Sequence, residues 1–310
     1  MRSGFVAVVG RPNVGKSTLV NAMVGTKVSI TSSRPNTTRH RILGVLHRPG
    51  AQVVFVDTPG IHRPRSALGT RLNETADHAL SDVDVILVLL DATAPVGPGD
   101  RRVLERSLRE VGRPAGDGGS TRMVVVVNKV DTAREHQVLE RLQSARDTVE
   151  ALAAPDGRTA PDATAARAES VEYFPVSART AKGVDELTAH IVATLDEGPP
   201  FFPDDVVTDT PEALWVAELV REQLLLRTRD ELPHSISCRV TEWDWPLIRC
   251  EVLVERESQK AIVIGRAGSV LKSAGIAVRR ELPEGAYLDL HVKVESRWQD
   301  REEVLDRLGY

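Results

Sequence analysis

A chain of 310 residues, 41% hydrophobic and 27% charged, exceeds one ordinary core and suits two folded domains. The net charge of −4 argues against a generally basic nucleic-acid binder, and two cysteines, Cys238 and Cys250, are too few for a disulfide scaffold or a cysteine metal cage. The longest apolar runs, Val85–Leu90 and Met123–Val127, are far too short to cross a bilayer, and the N-terminus enters a strand without a charged, cleavable leader, so a cytoplasmic protein is expected.

The first strand, Phe5–Val9, runs into Gly10-Arg11-Pro12-Asn13-Val14-Gly15-Lys16-Ser17-Thr18, the spacing of a phosphate-binding loop between a strand and a helix. Glycines at its two ends let successive amides turn toward phosphate oxygens, and a helix over about 16–24 adds the positive end of its dipole. Lys16 would reach the β and γ phosphates, and the Ser17 hydroxyl would sit on Mg²⁺. The polar stretch Ser29–Arg41 reads as a mobile loop. Strands over Ile42–His47 and Gln52–Val56 follow, and the second runs into Asp57-Thr58-Pro59-Gly60-Ile61. A carboxylate at that strand end can hold Mg²⁺ through its water shell, while the Gly60 amide is free to meet a γ-phosphate and to move when it leaves.

Residues 61–81 carry helical spacing, Val85–Asp91 reads as a strand, Asp100–Val111 as a helix, and 112–122 as a flexible insertion. The strand Met123–Val127 ends in Asn128-Lys129-Val130-Asp131. There the acceptor-only carboxylate of Asp131 matches two adjacent guanine donors, N1–H and the exocyclic amine, where adenine has an unprotonated N1 and no amine. ATP should be rejected, because a buried carboxylate would be left unpaired. The Ala/Pro-rich run 153–169 reads as disordered or as a loose helix extension. A last strand, Glu172–Val176, ends in Ser177-Ala178-Arg179, whose backbone could close over the guanine edge. Residues 1–197 therefore predict a doubly wound α/β domain with a mostly parallel sheet and a P-loop nucleotide site along its carboxyl edge.

Residues 198–210, with the Pro-rich run Gly198–Asp205, read as a linker, and 211–310 as a second, smaller α+β domain. Its expected order is a helix over Pro211–Arg227, strands over Ser235–Thr241 and Leu247–Glu257, two helices separated by Gly265-Arg266-Ala267-Gly268, a strand over Tyr287–Val294 and a short final helix. The second of the paired helices is expected over about 269–282. That order, with Gly-x-x-Gly between the middle helices, is the type II KH arrangement for single-stranded RNA. From 205 to 310 there are 15 Lys/Arg against 20 Asp/Glu, yet within 258–280 Lys260, Arg266, Lys272, Arg279 and Arg280 are opposed by no acid. Cys238 and Cys250 flank a hairpin turn around Asp244 at equal distances, which would set two half-buried thiols facing each other.

GRPNVGKST, Thr37-Thr38-Arg39-His40-Arg41, DTPGIH, NKVD and SAR, followed by DELPHS (230–235) and IGRAGSVLKSAGI (264–276), resemble the Era family of bacterial GTPases over nearly the whole chain. The resemblance implies GTP/GDP and Mg²⁺ as ligands, slow GTP hydrolysis, and a KH domain that holds the 3′ end of 16S ribosomal RNA during small ribosomal subunit assembly. It also implies peripheral association with the inner membrane; a monomer is expected. Thr38 is implied to meet Mg²⁺ and the γ-phosphate, with Thr37 the adjacent alternative, so that Ser17, Thr38 and Asp57 are the candidate metal ligands. Lys16, Thr38, Gly60 and Asn13 are the candidate catalytic residues, Asn13 either holding a monovalent cation such as K⁺ or only stabilising its loop. Candidate RNA contacts are Lys260, Ile264, Gly265, Arg266, Ala267, Gly268, Lys272, Arg279 and Arg280. Ile61 stands directly after Gly60, where many GTPases of this superfamily carry a water-orienting glutamine, so intrinsic turnover should be slow. The competing reading is a GTP-regulated protein or membrane adaptor that uses its KH-like fold as an interaction platform. A metabolic kinase is disfavoured, because N-K-x-D would have no purpose there.

Overall fold

Along β1 (Arg2–Gly10), Val6 and Val8 enter one hydrophobic core while Ala7 and Val9 enter another, as a strand must when both sheet faces are covered. The computed structural model describes residues 1–64, 66–115, 120–153, 168–228 and 232–310, with backbone only at 233–234. It divides into two compact units: Met1–Ser29, Thr38–Arg63 and Leu72–Asp209 form the first, and Ile30–Thr37, Pro64–Arg71 and Thr210–Tyr310 the second.

In the first unit β1 is followed by α1 (Lys16–Val24), β2 (Ile42–Arg48), β3 (Ala51–Asp57), α2 (Ala67–His78, from Leu72 on), β4 (Val85–Asp91), α3 (Pro98–Glu110), β5 (Arg122–Asn128), α4 (Glu135–Ala153), β6 (Glu172–Pro175) and α5 (Val184–Thr194). The sheet order is β2-β3-β1-β4-β5-β6, with β2 antiparallel to β3 and the other neighbours parallel. Leu19, Met23, Leu187 and Ile191 bring α1 and α5 onto one face; Ala76, Val103, Leu104, Ala145 and Val149 bring α2, α3 and α4 onto the other. The chain leaves β1 between β3 and β4, so the carboxyl ends of these central strands open the crevice where α/β sheets place ligands.

The helix expected over 61–81 is confined to Ala67–His78, because the Asn73 side chain grips the backbone of His62 in extended form, accepting its N–H at 3.2 Å and donating to its carbonyl at 2.7 Å. The stretch Ser29–Arg41 has no regular secondary structure up to its last residue, yet Ser29, Ile30, Thr38 and Arg39 are buried. Its start is anchored by Asn21, whose amide oxygen accepts the N–H groups of Val28 and Ser29. Phe201 and Phe202 lie along the first unit, where the buried Gln52 accepts both their N–H groups and donates to the Phe202 carbonyl at 2.7 Å. The readings of 112–122 and 153–169 fall, at 116–119 and 154–167, outside the described residues, as do Asp230 and Glu231 of DELPHS.

The second unit carries α6 (Glu212–Arg227), one helical turn (Leu232–Ser235), β7 (Ser237–Asp244), β8 (Leu247–Val254), α7 (Glu257–Ile264), α8 (Ser269–Arg279), β9 (Tyr287–Val294) and α9 (Glu302–Leu308). Its sheet runs β7-β8-β9, antiparallel then parallel. Leu219, Val220 and Leu224 of α6, Val263 of α7 and Val278 of α8 close over Cys250, Val252 and Val254. β8 ends at Val254 rather than Glu257, because Gln259 folds back to accept the N–H groups of Glu255 and Arg256 and starts α7 instead. α8 stops at Arg279, short of the expected 282, since the approach to Pro283 disfavours helical backbone. The hairpin turns at residues 245–246, with Asp244 paired to Leu247, rather than around Asp244, so that even with a bulge between Val240 and Glu242 Cys238 pairs with Val252 and Cys250 with Val240; the thiols are offset, free and buried. The Glu257–Arg279 stretch is apolar, with a mean hydropathy of 1.4, but Gly265–Gly268 splits it into helices of 8 and 11 residues, each too short to span a bilayer.

Candidate nucleotide site and RNA-facing turn

At the end of β1 the chain must turn into α1 within a few residues, and Asn13 (φ 65°) and Gly15 (φ 96°) adopt the left-handed conformations that achieve it. Gly15 allows no side chain: a Cβ there would stand 2.3 Å from Asn128 Nδ2. Lys16 folds into the loop, its Nζ 3.3 Å from the Gly10 carbonyl and 3.2 Å from that of Arg11. Burial lowers its ammonium to about 8, and the Asp57 carboxylate acts against that fall. Gly60 lies flush on the loop, where a Cβ would be 2.6 Å from Pro12 N, and the Ile61 N–H donates to the Gly10 carbonyl at 3.2 Å. The Ile61 side chain is packed into the core and offers nothing to a water. Arg11 gives the loop its backbone only, since its guanidinium pairs with Asp100 at the start of α3, 3.0 Å away.

Four oxygen-bearing side chains meet below this loop. Ser17 Oγ is 2.7 Å from Thr38 Oγ1, which donates to Asp57 Oδ2 at 3.4 Å; Ser29 Oγ donates to the same carboxylate oxygen at 2.7 Å. The Thr37 hydroxyl is turned elsewhere, donating to the Arg34 carbonyl at 2.7 Å. Burial pushes the Asp57 carboxyl upward, opposed by Ser17, the Lys16 charge, Ser29 and Thr38. Its Oδ1 is buried without a hydrogen-bond partner. An orphaned carboxylate oxygen in a cluster with the hydroxyls of Ser17, Thr38 and Ser29 fits a hard cation such as Mg²⁺. Among the described residues no three His, Cys, Asp or Glu side chains gather into a metal cage, and a sparse donor set of this kind suits Mg²⁺, which keeps waters and takes phosphate oxygens.

The base motif is braced from both sides. Asn128 donates to the Val14 carbonyl at 2.8 Å and accepts the Ala178 N–H at 2.9 Å, so one buried amide ties the phosphate loop to the Ser177-Ala178-Arg179 turn. Lys129 pairs with Asp91 at 2.6 Å. Asp131 accepts a hydrogen bond from Ser177 Oγ at 2.7 Å and another from Arg179, and these, Ser177 foremost, hold its carboxyl below the usual range despite partial desolvation. A side chain kept ionised in this way is acceptor-only. Val130, between them, contributes its N–H to the Val176 carbonyl at 3.2 Å.

In the second unit Gly265 and Gly268 both have φ 76°, with Ala267 also left-handed at 50°. Their surroundings differ. A Cβ on Gly265 would strike Val270 at 2.5 Å, whereas one on Gly268 meets nothing within 4 Å. Gly268 therefore faces open space at the start of α8, whose first turn has no side-chain cap. Arg266 and Lys272 are exposed near that start and Arg279 and Arg280 are exposed at the far end of α8, Lys260 is half-buried, and Ile264 packs partly against the core.

Sequence reasoning missed Ser29, Asp91 and Asp100, and gave Ser177 only a backbone role. Asp91 had a readable signal, a carboxylate at the carboxyl end of β4 on the same sheet edge as Asp57 and Asn128. Ser29 and Asp100 had none, being ordinary polar residues until folding brings their partners close.

The family described as "50S ribosome-binding GTPase" matches residues 5–129, and the KH domain family matches 245–299. GTPase Era of Mycobacterium sp. (strain KMS) is 43% identical over 320 residues, covering 100% of this chain and 99% of that protein. GTPase Era of Mycobacterium tuberculosis (strain ATCC 25177 / H37Ra) is 42% identical over 319 residues, covering 99% and 98%. Among solved structures, Era in complex with MgGDPNP and nucleotides 1506–1542 of 16S ribosomal RNA has a TM-score of 0.87 at 37% identity, over 100% of this chain and 99% of that one. Aquifex aeolicus Era bound to GDP·AlF4⁻, in a variant form, has 0.86 at 37% identity with the same coverage. By its motifs, its two units and these full-length likenesses, the chain belongs to the Era family of GTPases.

Proposed function

We propose that the protein is a GTP-hydrolysing switch that binds the 3′ end of 16S ribosomal RNA and assists small ribosomal subunit assembly. The observation that carries this is the match, over the whole chain, to an Era structure holding both MgGDPNP and that RNA segment. The family described by its 50S partner matches only within the nucleotide-binding part, 5–129, and does not outweigh a full-length likeness.

In this reading the division of labour is nucleotide binding by 1–197, connection by 198–210 and RNA binding by 211–310. Amides of 13–17 and the Lys16 ammonium neutralise phosphate charge, while Ser17, Thr38 and Asp57 hold Mg²⁺, which supplies further neutralisation when bound. Asp131 selects guanine. The buried Ile61 side chain leaves water orientation to other groups, and hydrolysis is slow. Asn13, left-handed in the loop, is a candidate ligand for K⁺. If it serves so, turnover in K⁺ exceeds turnover in Na⁺ at equal ionic strength; equal rates would leave Asn13 a loop residue only.

A ribosomal RNA ligand implies work in the cytoplasm, and a monomer is a separate proposal. Peripheral contact with the inner membrane is a further proposal, tested by co-sedimentation with vesicles of that membrane's lipids.

RNA binding is tested at Gly268. Aspartate tolerates a left-handed backbone and would have room, so Gly268→Asp should fold normally while placing negative charge where an RNA phosphate approaches. Affinity for an oligonucleotide of the 16S 3′ end should fall at least about tenfold, and wild-type binding should weaken with salt in proportion to the phosphates contacted. Absence of RNA binding in every nucleotide state would favour the adaptor reading instead.

A further inference from the structure

The phosphate loop and the base motif leave the sheet from β1 and β5, and β4 lies between those two strands. A nucleotide gripped by both must therefore cross the carboxyl end of β4. The residue there is Asp91, opposite Asn128 in the register of β4 and β5. Both of its carboxylate oxygens are engaged. Oδ1 accepts the Thr93 N–H at 2.9 Å and the Thr93 hydroxyl at 2.6 Å, and Oδ2 accepts Lys129 Nζ at 2.6 Å. Burial by itself would raise this carboxyl, but the bonds from Lys129 and Thr93 outweigh it and hold the group below its usual range.

Lys129 is held at its other end as well. Its backbone is left-handed, with φ 70°, a strained conformation for a residue with a side chain and one that gathers at binding sites. Its carbonyl accepts the Thr132 N–H at 3.0 Å and the Thr132 hydroxyl at 2.9 Å. With the backbone pinned past β5 and the ammonium pinned at β4, the four-carbon stem spans the two strand ends. A free lysine loses rotamer freedom when a ligand settles on it, and here that freedom is already gone. The pair does little else, since its side chains are 35% and 21% exposed and an ion pair in such a setting adds little to stability. We propose that Asp91 is a positioning residue for the nucleotide, fixing Lys129 across the end of β4 before the ligand arrives.

The inference rests on the GTPase reading above, and the test separates the two. In the full-length protein, Asp91→Asn keeps an oxygen for Thr93 but turns an amide N–H toward the Lys129 ammonium. GDP affinity should fall about tenfold, the scale of a lysine's rotamer freedom, with an unfolding temperature within about 2 °C of wild type. Inosine diphosphate, which lacks the exocyclic amine that Asp131 reads, should lose affinity by the same factor. In a Lys129→Met background, where the ammonium is gone and a stem remains, Asp91→Asn should cost less than about twofold. Unchanged GDP affinity in Asp91→Asn would overturn the proposal, as would equal losses with and without Lys129→Met. A loss confined to GDP would also overturn it, by placing the effect at Asp131. Should Asp91→Asn fail to fold, Thr93→Val, which removes one bond that steadies the carboxylate, is measured in the same way. About a threefold loss of GDP affinity is then expected, and no loss would overturn the proposal. Failure of the wild-type protein to bind GDP would instead defeat the GTPase reading itself.

Discussion

Asp131→Asn should cost GTP at least about a hundredfold in affinity and make xanthosine triphosphate the better ligand. A hydrogen bond to a charged group contributes about 1.5–3 kcal/mol, and an unsatisfied buried polar group costs about 1–3 kcal/mol more. Ser177 Oγ donates to one oxygen of Asp131, which fixes that corner as an acceptor in the variant too and leaves the amide nitrogen at the other. Arg179, whose side chain is 71% exposed, can swing away from that nitrogen at little cost. The variant then presents one acceptor and one donor. Guanine, with two donors, loses a bond and gains a donor–donor clash, a penalty of roughly 3 kcal/mol or more. Xanthine keeps N1–H but carries a carbonyl where guanine has its amine, and so pairs with both groups. Titration of fluorescent guanosine and xanthosine nucleotides would decide the matter; a variant that keeps GTP affinity within threefold would refute the role given to Asp131.

The nucleotide site was legible because its chemistry lies in short contiguous motifs whose residue types have few other uses in that spacing. Gly10 to Thr18, Asp57 to Ile61 and Asn128 to Asp131 all fall at carboxyl ends of strands β1, β3 and β5, and parallel packing gathers those ends. The strands themselves were plain for a related reason: residues buried on both faces must be apolar almost without interruption, as Val85–Leu90 is. What stayed hidden depends on partners far along the chain. Asp100 reads as an acid in a helix until Arg11 is found beside it, and Arg221 as one charge of an amphipathic helix until the Thr37 carbonyl is found over it. The loop over 29–41 lacks regular structure, as its polar composition suggests, yet several of its serines and threonines serve as internal hydrogen-bond partners, Ser29 to Asp57 and Ser32 to Thr37 among them. The hairpin register failed for a smaller reason: the turn is centred between Trp245 and Pro246, with Asp244 already paired to Leu247, and not on Asp244.

Gly15→Ala tests whether the phosphate and base halves of the site are one structure, because the added methyl group would collide with the side chain that joins them. A non-glycine residue held left-handed is strained by about 1–3 kcal/mol. That cost alone would be tolerable. The Cβ would also lie 2.3 Å from Asn128 Nδ2, so Asn128 must leave, and with it go the bonds to the Val14 carbonyl and the Ala178 N–H. Each buried group so abandoned costs about 1–3 kcal/mol of stability, and because the same amide aligns the phosphate loop with the base turn, nucleotide affinity should fall as well, by at least about tenfold. Gly25 supplies the control from the opposite end of α1: its φ is 84°, and a Cβ there meets nothing within 4 Å. Gly25→Ala carries the backbone strain without the collision, so it should lower the unfolding temperature by a few degrees and leave GDP affinity unchanged within twofold. If the two alanine variants lose GDP affinity equally, backbone strain is the whole effect and Asn128 does not couple the two halves. If Gly15→Ala alone loses it, and binds guanosine as poorly as it binds GDP, the damage has passed through Asn128 from the phosphate loop to the base.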